Sequence, residues 1–187
     1  MLEKLIEPEE ILSILSLIEK NNEQYKGITY STRQYFFADP LMPMQDGNHA
    51  VGNKFAFESF KVKNKQGYYI SMDANNFKLI NNISHEAGDN AIRSIGYALR
   101  EATNGLSRTK LFRSGGDEFV FFTEDKNNIN LFVEKAIGEI NKIELIGNSI
   151  KVTLSFGIGK TYLEAEAALL EAKKKKTLVP NLIHSLL

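Results

Sequence analysis

Ser114-Gly115-Gly116-Asp117-Glu118-Phe119 is the stretch that decides how this chain reads: two glycines, two carboxylates, then an apolar run. Lys110-Leu111-Phe112-Arg113 precedes it and Val120-Phe121-Phe122-Thr123 follows. Both flanks are rich in β-branched and aromatic residues, which suit a pleated, half-buried surface. A short glycine-containing connection between two such runs predicts a β-hairpin, roughly 107–113 and 118–124. The glycines allow positive φ and let a ligand come close to the backbone. Two meanings stay open for the turn. It is a plain hairpin with solvated charges, or a rigid platform for a loop that does chemistry.

The 187 residues suffice for one domain with a good core and an extra element. Lys plus Arg equals Asp plus Glu, so net charge gives no push toward nucleic acid or membrane, and neither is expected as a partner. Cysteine is absent, which removes disulfides and thiolate metal sites and favours a reducing compartment. No apolar run approaches the length of a membrane span. The N-terminus turns acidic at Glu3, too early for a secretory signal, so a cytoplasmic protein is expected.

In chain order, a helix is expected over about 8–22, with Pro8 in its first turn and Ile11, Ile14, Leu15 and Ile18 on one stripe. It caps the domain or pairs with a partner chain. Residues about 26–50, broken by Gly27, Pro40, Pro43 and Gly47, form an ordered but irregular segment that includes His49. A helix over about 50–62 packs through Phe55, Phe57 and Phe60. Gly67 opens a strand, Tyr68 to Met72, that ends at Asp73. A carboxylate there is a functional group at a strand end, or the N-cap of the helix that Phe77 and Ile80 anchor. Asp89 is read as the N-cap of a long helix carrying Ile92, Ile95, Leu99 and Ala102 on one face, stopped by Asn104-Gly105. A helix over 127–142, a strand over 150–159 and a helix over about 161–176 follow. The last helix carries Leu163, Ala167, Leu170 and Ala172, and Lys173 to Lys176 lie at its negative dipole end.

This alternation predicts an α/β or α+β sandwich around one mixed sheet. If the strand ending at Asp73 lies beside the hairpin, Asp73, Asp117 and Glu118 converge. Three carboxylates repel one another unless a divalent cation joins them, and hard oxygen ligands suit magnesium.

Several blocks together resemble one family. Asp73-Ala74-Asn75-Asn76-Phe77-Lys78-Leu79-Ile80-Asn81-Asn82, His85-Glu86-Ala87-Gly88-Asp89 and Arg113-Ser114-Gly115-Gly116-Asp117-Glu118-Phe119 look like a GGDEF domain, the catalytic domain of diguanylate cyclases. Val152 to Gly159 and Ala165 to Lys173 are similar to that family's closing strand and helix, and Asp39-Pro40-Leu41 with Gly52 to Phe57 to its opening. The resemblance covers about residues 39–176 and divides the chain into an N-terminal helix and packed segment (1–38), a catalytic domain (39–179) and a tail (180–187).

What it implies is a palm-like mixed β-sheet flanked by helices, of nucleotidyl-cyclase type. The implied reaction condenses two GTP into cyclic di-GMP, with one nucleotide in each subunit of a homodimer. Asp73, Asp117 and Glu118 would be the catalytic carboxylates. Asp73 and Asp117, with the Ala74 carbonyl and Glu118, would hold magnesium or manganese. Asn81 and Asp89 would read guanine, whose N1–H and N2–H donors suit a carboxylate and are absent from adenine. Lys78, Lys173 and Arg113 would contact phosphates, and Gly115 and Gly116 would let the hairpin lie against the nucleotide.

The chain departs from the family in places. Asn75 and Asn82 stand where aspartates are usual, the glycine before His85 is missing, and lysines replace a phosphate-binding Arg after Lys173. Leu106 and Thr109 occupy the positions of the family's product-inhibition site, so no inhibition through that site is expected. The resemblance also admits a stand-alone cyclic oligonucleotide synthase related to CRISPR polymerase palm domains, or a degenerate GTP-binding regulator.

Overall fold

Strand-forming runs and amphipathic helices alternate along the chain in the order β-α-β-β-α-β, with extra helices at either end. The computed structural model describes residues 13, 38–42, 51–63, 66–143 and 151–175. Of the helix expected over 8–22 only Ser13 is described, and it is helical. His49, Lys176 and the tail lie outside the described residues.

The elements are α1 (Lys54–Lys63), β1 (Tyr68–Asn75), α2 (Phe77–Asn81), α3 (His85–Ala102), β2 (Thr109–Arg113), β3 (Glu118–Thr123), α4 (Asn127–Ile140), β4 (Thr153–Gly159) and α5 (Tyr162–Lys175). The sheet order is β2-β3-β1-β4, the split βαβ arrangement of ferredoxin-like folds. All three strand pairs are antiparallel, and the one parallel pairing among the described residues is the bridge between Gly52 and Phe112. The two central strands are β3 and β1, which explains their almost continuous burial.

Alternation along the strands divides two cores. Ile70, Met72, Phe119, Phe121, Leu154 and Phe156 face α3 and α4, where Ile92, Ile95, Leu99 and Phe132 complete the larger core. Phe121 stacks on Phe132 with ring centroids 3.8 Å apart. Tyr69, Phe112, Val120 and Phe122 face the other way and pack with Phe57 and Ala165. Ser71 and Asp73 follow Tyr69 on that second face by the period-two rule, so Asp73 stands where the aromatic packing runs out.

Three expectations are corrected. The long helix starts at His85, not Asp89: Ser84 has extended backbone, and its hydroxyl accepts from the Ala87 amide at 3.0 Å. That places Asp89 in the second turn, exposed. Second, α5 buries Ala165, Leu169 and Ala172 rather than Leu163 and Leu170, which are 78% and 56% exposed. The cause lies in β4, where a Cβ at Gly157 would run into the backbone of Ala165 and Leu169. The helix rests directly on the strand, and only its small-residue stripe fits there. Third, Gly115 and Gly116 do not adopt positive φ; among the described glycines Gly67 and Gly105 do. At Gly115 an added Cβ would meet the Glu118 carboxylate, so a side chain there would displace that group.

Candidate active site

The site forms where β1, β3 and the end of α5 meet. Asp73 lies opposite Glu118 in the β1–β3 register and opposite Ser155 in the β1–β4 register. The Ala74 amide donates to the Asp117 carbonyl at 3.2 Å, which ties the hairpin turn to β1. The turn closes with the Ser114 amide donating to the Glu118 carbonyl at 3.0 Å. Asp73, Asp117 and Glu118 are thus brought together, because the strand ending at Asp73 does lie beside the hairpin, and Ala74 is next to them.

Asp73 is buried, and its Oδ2 accepts from Lys173 Nζ at 2.7 Å. This contact follows from the seating of α5: with Ala165 against Gly157, the helix axis carries Lys173 back along the sheet to the Asp73 end. Lys173 therefore reaches the acidic group from the helix terminus, with its side chain still partly in solvent. Asn75 donates to Thr153 Oγ1 at 3.0 Å and accepts from the Ser155 hydroxyl at 2.8 Å. An amide both donates and accepts, so Asn75 bridges the two hydroxyls with both ends of its side chain.

The electrostatics are unbalanced. Burial, and then the neighbouring Asp73 carboxylate, push the Asp117 pKa up; its own backbone amide, Lys173 and Arg113 pull the other way. Glu118 is raised by burial, then by Glu166, Asp73 and Asp117, with Lys173 opposing. Glu166, on α5, was not anticipated from the sequence. It also accepts a hydrogen bond from the Tyr162 hydroxyl, and burial together with the nearby acids raises that phenol's pKa. Nothing in a lone helical glutamate distinguishes it until the helix is placed on the sheet.

The donor set of Asp73, Asp117, Glu118 and the Ala74 carbonyl fits a divalent cation. It is all hard oxygen, and Lys173 is the cation that acts on both Asp117 and Glu118. Among the described residues no three carboxylate or imidazole groups close around one point, and Asp73 is engaged by Lys173.

The remaining expected residues fall in two groups. Asn81, the last residue of α2, lies against the first turns of α3. A Cβ at Gly88 would strike the Asn81 side-chain oxygen, so glycine at 88 is what admits Asn81 there. Asp89 follows directly, exposed, as is Lys78. Arg113 is placed differently from a free phosphate ligand: its guanidinium donates to the Gly116 carbonyl and to Asp39.

Residues 53–177 match the family model described as "Diguanylate cyclase, GGDEF domain". The chain belongs to the GGDEF-domain family. Solved structures agree on the fold of this GGDEF domain. Diguanylate cyclase SiaD from Pseudomonas aeruginosa, solved with its activator SiaC, superposes with a TM-score of 0.63 at 20% identity, covering 89% of this chain and 69% of that one. The coiled coil and GGDEF domain of DgcB from Caulobacter crescentus, solved with c-di-GMP, gives 0.61 at 18% identity, over 88% and 95%. The S helix-GGDEF-EAL portion of Vibrio cholerae LapD gives 0.65 at 18% identity, over 83% and 38%. No curated protein matches the chain significantly. No helix among the described residues is long and apolar enough to cross a membrane.

Proposed function

We propose that this GGDEF domain is a diguanylate cyclase that condenses two GTP into cyclic di-GMP, dependent on magnesium or manganese and acting as a homodimer. The observation that carries the reading is the trio of Asp73, Asp117 and Glu118 at the adjoining ends of β1 and β3, with its excess negative charge. Asp73, Asp117, Glu118 and the Ala74 carbonyl are the groups to hold the metal. A divalent cation bound there supplies charge neutralisation of the triphosphate and acidification of the attacking hydroxyl.

The chain's own residues do the rest. Asn81 and Asp89 orient guanine, with the Asp89 carboxylate accepting from N1–H and N2–H. Lys78 and Lys173 bind phosphate oxygens and align the α-phosphate for in-line displacement. Gly115 keeps the turn thin enough for the nucleotide to lie against it. Asp117, whose pKa is displaced upward, accepts the proton of the 3′-hydroxyl. Each 3′-oxygen forms a bond to the α-phosphorus of the other nucleotide, the α–β anhydride bond breaks, and pyrophosphate leaves. Two such steps need two facing sites, which is the reason for the homodimer.

The test is to incubate purified protein with magnesium and each nucleoside triphosphate and identify products by mass spectrometry. Cyclic di-GMP from GTP alone, abolished in Asp117→Ala, is the expected result. An adenine-containing product, or tight GTP binding without turnover, overturns it.

A further inference from the structure

We infer that Asp39 and Arg113 are a positioning pair that sets the direction of the Gly116–Asp117 peptide, so that Arg113 serves the reaction without touching phosphate. The inference rests on the cyclase reading for its kinetic consequence, but not for its geometry.

Arg113 is the last residue of β2, and its side chain turns back over the hairpin. Nε and Nη2 both donate to the Gly116 carbonyl, at 3.0 and 2.8 Å. Nη1 donates to Asp39 Oδ2 at 3.3 Å. The other Asp39 oxygen accepts from the Leu41 amide at 3.0 Å. The pair is withdrawn from solvent: the Asp39 side chain is 6% exposed and that of Arg113 19%. A planar guanidinium presents fixed parallel donors, so holding two of them on one carbonyl and a third on a buried carboxylate leaves it little freedom.

Asp39 is itself fixed to the sheet. Its amide donates to the Val51 carbonyl at 2.8 Å, and Asn53 donates to the Ala38 carbonyl at 3.3 Å. The next residue, Gly52, donates to the Leu111 carbonyl at 2.9 Å and accepts from the Arg113 amide at 2.8 Å. Residues 38–42 and 51–53 therefore brace the end of β2, and Asp39 is the part of that brace that reaches the guanidinium.

The consequence passes through one peptide plane. In a trans peptide the carbonyl and the following N–H point in opposite directions. Fixing the Gly116 carbonyl on Arg113 therefore fixes the Asp117 N–H on the opposite side. That N–H belongs to the residue that carries the carboxylate, and it favours the charged form. On the far side of the same residue, the Asp117 carbonyl accepts from the Ala74 amide of β1. Asp117 is held at both of its peptides, one by Arg113 through the Gly116 carbonyl and one by β1, so the backbone from which its carboxylate projects is fixed on both sides. A free turn would let this peptide flip and carry the carboxylate out of line with Asp73.

Asp39→Asn and Arg113→Lys test this with two readouts. The first is hydrogen–deuterium exchange of the peptide spanning 114–119, measured without nucleotide, beside peptides from α3 as an internal control of folding. Both variants should lose protection at 114–119 by at least tenfold, with α3 unchanged. The second is steady-state kinetics with directly measured GTP affinity. Both variants should lower kcat by ten- to a hundredfold and change GTP affinity less than threefold, and the double variant should fall no further than the worse single one. Unchanged exchange at 114–119 in Asp39→Asn overturns the inference even if the wild type makes cyclic di-GMP. So does Arg113→Lys weakening GTP tenfold while Asp39→Asn is silent, which is the pattern of a phosphate ligand. If the wild type makes no product, the exchange experiment alone decides, and only the cyclase reading falls. Should Asp39→Asn lose protection in α3 as well, Arg113→Lys, which keeps the charge beside Asp39, supplies the deciding exchange measurement.

Discussion

Lys173→Met should change two quantities in opposite directions. Lys173 Nζ is 2.7 Å from Asp73 Oδ2, with the two side chains 45% and 11% exposed. Such a half-exposed, charge-assisted bond is worth about 1 kcal/mol once solvent screening is allowed for. A cation that uses Asp73 as a ligand must break it, and must also approach the ammonium. Removing Lys173 relieves both costs, so metal affinity without nucleotide should rise by roughly tenfold, equivalent to ~1.4 kcal/mol. Metal-free stability should move the other way, because Asp73, Asp117 and Glu118 lose their common counter-charge. A loss of about 1 kcal/mol in a domain of this size lowers Tm by roughly 2–4 °C. The assays are manganese titration followed by electron paramagnetic resonance, with Asp73→Ala as the blank, and thermal melting in chelator. General damage to the fold would weaken both quantities. Unchanged manganese affinity in Lys173→Met, with Asp73→Ala still abolishing binding, would refute the view that Lys173 and the cation compete for one carboxylate.

Two further outcomes follow from the same packing and charge. Gly157→Ala should cost about 3 kcal/mol, at the upper end for overpacking, because the added carbon meets helix backbone rather than a movable side chain, and chemical denaturation reads it directly. Asp117→Asn should abolish cyclase activity yet raise the metal-free Tm at neutral pH by about 1–2 °C, since it deletes a half-buried charge whose folded pKa lies above its unfolded value. The sign fixes the pH dependence: a raised carboxylate pKa favours the fold fully below the ordinary value of 3.8 and loses that contribution as pH rises through the folded value. The Tm advantage of the variant should therefore vanish below about pH 4 and grow above it, and a melting series against pH checks this.

The elements were legible in the sequence where burial follows a simple period. The stripe Ile92, Ile95, Leu99 and Ala102 is buried as its spacing predicts, and the hairpin strands fall within two residues of expectation. The start of α3 was not legible, because His85-Glu86-Ala87-Gly88 carries no strong apolar period and Ser84 and Asp89 are both plausible caps. The inward face of α5 was misread for a tertiary reason. Larger leucines outweigh Ala165 in any hydrophobic pattern, and only the bare surface of Gly157 makes the small residue the right one. The carboxylate trio followed from placing Asp73 at a strand end beside the hairpin. The roles of Asp39 and Glu166 did not, because each depends on a partner far along the chain, Arg113 in one case and Glu118 in the other.

Sequence distance also bears on how the site is made. Asp73 and Lys173 are 100 positions apart, Ser155 reaches Asn75 across 80, and Arg113 reaches Asp39 across 74. β1 is a central strand whose two neighbours, β3 and β4, both follow it in the chain. During synthesis it emerges with neither edge paired, and it must wait for the hairpin and then for β4. Contacts this distant close large loops, which slows folding. The acidic cluster assembles at the β1–β3 step, but its counter-charge arrives only with the last turn of α5. A chain stalled or cut before residue 173 would carry the carboxylates together with no ammonium to balance them, beside a helix not yet seated on β4. The last helix is thus the step that completes both the packing of the sheet and the charge balance of the site.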